Sequence, residues 1–160
     1  MKTKNKKILR IIAILMLAGF VIGGSIMLYL FNMPHRDVQS AKADYVLTSN
    51  QIVSEYLSDM DAANQKYLSS DGESKILEIS GIINNISEDF NGQTVLLLKG
   101  NEDKAGVSAT LISNTSISAS SLKIGDSVKL KGVIRSGASF DEDLELYENV
   151  ILDKCDISII

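Results

Sequence analysis

Residues 124–135 read IGDSVKLKGVIR. Val128, Leu130 and Ile134 alternate there with Lys129, Lys131 and Arg135. Successive side chains of a strand point to opposite faces, so this spacing predicts a strand with one buried face and one basic face.

Upstream, Leu77, Ile79, Gly81 and Ile83 share one face of a long first strand. A glycine in mid-strand allows the tight coiling that a small closed barrel needs. Asp89 to Gly92 form a hairpin turn, with Asn91-Gly92 its strongest signal. Val95 to Leu98 make the second strand, and Val107, Ala109 and Leu111 point inward from the third. The Ser-rich stretch from Thr115 to Lys123 has room for a short helix. Downstream, SGASFDED (136–143) turns the chain, and Leu144 to Ile157 form a fifth strand. The inward phase of that strand breaks at Glu148-Asn149, which predicts a bulge. The barrel domain is expected over 75–158.

Before the barrel the period changes. Ile52, Val53, Tyr56, Leu57, Met60, Ala63, Tyr67 and Leu68 recur at helical spacing. Thr48 and Gln51 have the form of a capping box at the start. One amphipathic helix over 48–68, packed on the barrel, is expected, with SSDGES (69–74) as the turn after it.

The N-terminal 31 residues have a different character. Ile11 to Phe31 carry no charged side chain, and as a helix would span about 30 Å, the thickness of a bilayer core. Lys2, Lys4, Lys6, Lys7 and Arg10 precede them without an acid, so the short tail 1–10 is expected in the cytoplasm and the rest of the chain outside it. The run is long for a signal peptide, and Ala41-Lys42-Ala43, a cleavage-like triplet, lies well past it. The expectation is an uncleaved single-pass anchor in the cytoplasmic membrane. Residues 32–47, with the only Pro, read as a polar linker. Gly19 and Gly23 have GxxxG spacing, a weak signal of helix pairing.

The fold class read from these patterns is mainly β: a transmembrane helix, an amphipathic helix, then a five-stranded OB barrel. ILEISGIINNIS (76–87), VSATL (107–111), IGDSVKLKGVI (124–134), a last strand containing Cys155, and the preceding AANQKYL (62–68) resemble the tRNA_anti-like family of OB-fold proteins. The resemblance covers about residues 44–157. It rests on apolar alternation and glycines and contains no catalytic motif. It implies a barrel akin to the anticodon-binding domain of tRNA synthetases, and membership among short envelope proteins carrying an anchor or signal.

Charge separates that ancestry from use. From Asn32 onward there are 11 basic against 20 acidic residues. Nucleic-acid affinity comes mainly from neutralising phosphates, so this balance opposes it. Strands two and three also lack the aromatic side chains on which bases stack. Phe90 and Phe140 lie at turns instead. Cys155 is in an apolar context and His35 in the linker, which leaves few parts for nucleophilic catalysis. No metal site and no cofactor are expected. Asp141, Glu142, Asp143, Glu145 and Glu148 suggest a Ca²⁺ module as an alternative, with a solvated turn the simpler reading. The candidate binding residues are Leu96, Leu98 and Ile112, as an apolar patch, with Lys129, Lys131 and Arg135 as a basic row. The function expected is a non-enzymatic envelope protein that binds a protein, peptide or glycan, or serves as a structural element. A cytoplasmic nucleic-acid module is the other alternative.

Overall fold

The alternation at residues 124–135 becomes the strand that closes a barrel. The computed structural model describes residues 2–31, 37–70, 73–113, 115 and 121–159, and excludes the side chains of 2–11, 13, 30 and 159. It divides into two units, Met1–Arg36 and Asp37–Ile160.

The first unit contains α1 (Lys2–Phe31), a helix of 30 residues. The helix expected over 11–31 is present and starts earlier. Ile14, Leu15, Met16 and Leu17 are all exposed. Four consecutive residues, about 100° apart, reach nearly every side of a helix, so the apolar surface has no single face. Among the described residues no helix is long and apolar enough to cross a membrane.

The second unit opens with β1 (Tyr45–Thr48), α2 (Ser49–Ser58) and α3 (Met60–Tyr67). The long strand β2 (Ile76–Glu88) follows, then β3 (Thr94–Leu98), β4 (Val107–Leu111) and β5 (Ser127–Ser136). A small hairpin, β6 (Ser139–Asp141) and β7 (Leu146–Glu148), precedes β8 (Val150–Ile159). The main sheet runs β1-β2-β3-β4-β8-β5, and β5 pairs back onto β2. Strands β2, β3, β4, β5 and β8 thus form a closed five-stranded barrel, antiparallel except where β8 lies parallel to β4. This is the strand order of an OB barrel.

Alternation fills the interior. Leu77, Ile79, Ile83, Val107, Ala109, Leu111, Val128, Leu130 and Ile134 are buried in one core, as their period predicts. At Gly81 a Cβ would lie 2.9 Å from Ser49 Oγ and 3.1 Å from Leu98 Cβ, so helix α2 and strand β3 approach the backbone closely there. The Asp89–Gly92 turn forms as expected, with Gly92 at φ 75°. The Asp89 carboxylate accepts from the N–H groups of Asn91 and Gln93 at 2.8 and 2.9 Å.

Three expectations are revised. The linker read over 32–47 ends sooner: Tyr45–Thr48 is a strand parallel to β2, and Val38 is buried with Ile76 and Val133. Residues 32–36 lie outside the described set. The helix read over 48–68 is two helices, broken at Asp59 (φ −156°, ψ 94°), whose carboxylate caps α3 through the Ala62 N–H. The capping box of Thr48 and Gln51 is present. The fifth strand begins at Val150 rather than Leu144, because SGASFDED holds β6 and Leu146–Glu148 pairs with it. At the predicted phase break, Asn149 Oδ1 accepts the Gly106 N–H at 2.8 Å. The helix expected within Thr115–Lys123 falls largely on residues outside the described set.

Candidate functional site

The six residues singled out from sequence do not meet in one place. Leu96 and Leu98 are fully buried in the barrel core, so they form no exposed patch: both take the inward phase of β3. Ile112 is half-buried just after β4, and its N–H donates to the Cys155 carbonyl at 2.9 Å. The basic row does line one face of β5, yet each cation has a partner. Lys129 pairs with Glu78 at 3.1 Å. Lys131 Nζ donates to the Gln39 carbonyl at 2.7 Å. Arg135 donates through two nitrogens to Asp153, at 3.1 and 3.3 Å. Such pairing leaves little unopposed positive potential on that face.

The acidic turn is also internally engaged. Asp141 Oδ1 accepts from the N–H groups of Asp143 and Leu144, both at 2.9 Å. Glu148 accepts from the Ser139 hydroxyl. Among the described residues no group of three or more His, Cys, Asp or Glu side chains is placed to hold a metal ion. The Cys155 thiol is sealed under Gly132, and burial pushes its pKa up, away from the reactive thiolate.

A different region gathers chemistry. Helix α2 packs on β6, and between α2 and the β6–β7 hairpin lies a cleft of about 380 Å³. Leu57 and Met60 form its aliphatic side, at the end of α2 and the start of α3. Both are exposed, as are Phe140, Leu144 and Leu146 on the hairpin. Phe140 and Tyr147 stand on neighbouring strands with ring centroids 4.8 Å apart and planes at 48°. Lys104 holds its ammonium 5.4 Å from the Tyr147 ring centre, a cation–π distance. Ser139 and Glu142 complete the rim.

Tyr56 forms the inner wall. The side chain is 1 % exposed, and its hydroxyl is buried with no hydrogen-bond partner among the described residues. Burial first, then the neighbouring Tyr67 and Glu55, pushes this hydroxyl up to about 12, so it keeps its proton. Its ring lies against Gly137, where any Cβ would overlap Cε1 and Cδ1. A buried hydroxyl without a partner costs roughly 1–3 kcal/mol, and sites that carry such a cost are commonly completed by water or a ligand.

Sequence reasoning missed this cleft because Tyr56 and Leu57 were absorbed into one long helical stripe. The usable signal was Phe140, an aromatic residue inside a charged turn. The break at Asp59 then leaves Met60 exposed.

A family model described as tRNA_anti-like matches residues 1–143, a span that takes in α1 and the barrel through β6. No curated protein matches the chain.

Proposed function

The chain belongs to the tRNA_anti-like family, and on that footing we propose that it is a membrane-anchored, non-enzymatic interaction module. Its acidic OB barrel stands outside the cytoplasm and binds a protein or peptide in the cleft between α2 and the β6–β7 hairpin. The observation that carries this reading is a cleft with Tyr56 in its lining and exposed Leu57, Met60 and Phe140 on its walls. Exposed apolar side chains beside a concave surface are what protein recognition uses.

The anchor rests on composition, the uncharged run from Ile11 to Phe31. A helix that is apolar on every side needs an apolar surround, and the five basic residues before it set the cytoplasmic end. Against nucleic acid stand the acidic balance and the pairing of Lys129, Lys131 and Arg135. Against nucleophilic catalysis stands the sealed Cys155 thiol.

The test is a photo-reactive amino acid placed at Phe140 in the full-length protein in cells, with one at Phe90 in the β2–β3 turn for comparison. The expected result is a discrete protein adduct from position 140 and none from 90. No adduct from position 140, or the same products from both positions, sinks the reading.

A further inference from the structure

We propose that the cleft takes a cationic, apolar polypeptide segment. One aromatic or aliphatic side chain enters between Leu57, Met60 and Phe140 and brings a polar group to the Tyr56 hydroxyl. A neighbouring lysine or arginine lies over the acidic β6–β7 turn. The proposal rests on the reading of this cleft as a protein-binding site.

Three observations choose this occupant. The cleft, at about 380 Å³, is near the low end of ligand sites, the scale of a few side chains rather than of a large cofactor. Its open side is built from Leu57 and Met60, flexible aliphatic groups that mould to protein side chains. Charge supplies the third. Glu142 lines the cleft, and the turn it belongs to also carries Asp141, Asp143 and Glu145. Among the described residues Lys104 is the one basic side chain in the lining, and its ammonium faces the Tyr147 ring. A basic segment is attracted to such a rim and an acidic one repelled.

The Tyr56 hydroxyl adds a polar requirement at the inner wall. It is protonated and has no partner among the described residues, and the proposal gives it one, a carbonyl or side-chain oxygen that arrives with the ligand.

The experiment uses the full chain in nanodiscs of neutral lipid, with empty nanodiscs as control. The probe is a dye-labelled synthetic peptide alternating lysine with leucine and phenylalanine, followed by fluorescence anisotropy. Comparison peptides replace lysine with glutamate, or the apolar residues with serine. Saturable binding of the cationic apolar peptide is expected. It should be at least about tenfold weaker for the glutamate peptide and should weaken as salt rises. Tyr56→Phe, which keeps the ring against Gly137, should weaken it by roughly three- to tenfold. Phe140→Ala on the exposed hairpin should weaken it by about tenfold or more. Equal binding of the lysine and glutamate peptides overturns the charge assignment. So does preferential binding of a neutral oligosaccharide. If no peptide binds while position 140 still yields its adduct in cells, this inference fails and the protein-binding reading stands. If neither is seen, both fail.

Discussion

The Tyr56 ring rests on the Gly137 backbone so closely that no side chain fits between them. Gly137→Ala should therefore destabilise the domain by about 3 kcal/mol or more, read as a fall in thermal midpoint. Tyr56→Phe should do the reverse. It removes a buried hydroxyl with no partner, and should leave the free protein unchanged or more stable by up to about 1 kcal/mol. A clear loss of stability in that variant would mean that the hydroxyl already has a partner in the free protein. At this scale the sequence was legible where alternation rules. Leu77, Ile79, Val128 and Leu130 took their inward places because a strand offers only two faces. It was illegible where pairing decides. Lys129 and Arg135 read as a free basic row, because nothing local tells that Glu78 and Asp153 arrive from other strands.

Between α2 and α3 the chain is held by few groups. Asp59 ends one helix and caps the next, so Asp59→Ala should cost about 1 kcal/mol of unfolding free energy in denaturant titration. Across the break, Lys66 and the Tyr67 hydroxyl both donate to Glu55 at 2.8 Å. The Lys66 hydrogen bond is the main cause that holds the Glu55 carboxyl below its usual range, aided by Tyr67 and opposed by partial burial. A depressed folded-state pKa gives stability that is present above the unfolded carboxylate pKa. It is lost as pH falls through the lower, folded value. Thermal midpoints of wild type and Glu55→Gln should therefore differ at neutral pH and converge on acidification below the ordinary carboxylate range. Curves that stay parallel would show that Glu55 contributes no such linkage. The helical period over 48–68 was visible, and the break was not. Ser58-Asp59 is a capping pair in retrospect, yet an apolar stripe continues across it, and only tertiary packing decides where a helix yields. The β6–β7 hairpin was hidden for a related reason: its three-residue strands are too short to establish a period.

For the whole molecule, the anchor and the barrel make separate demands. If α1 lies in a bilayer as proposed, the full chain should stay with membranes through alkaline carbonate. Leu17→Asp with Val21→Asp, each costing roughly 2.5–3.5 kcal/mol near a bilayer centre, should release it. A C-terminal tag should be digested in spheroplasts while a cytoplasmic control survives. Protection of the tag would reverse the orientation. The barrel class was legible from five alternating segments, but the order in which they join was not written in any one of them. That order has a consequence in time. Strand β8 comes last along the chain yet lies between β4 and β5. During synthesis β4 and β5 are made early and wait with unsatisfied edges until residues 150–159 are free to enter. The protein cannot complete its barrel piece by piece as it emerges. Closure has to wait for β8, and until then those two edges stay open to other strands.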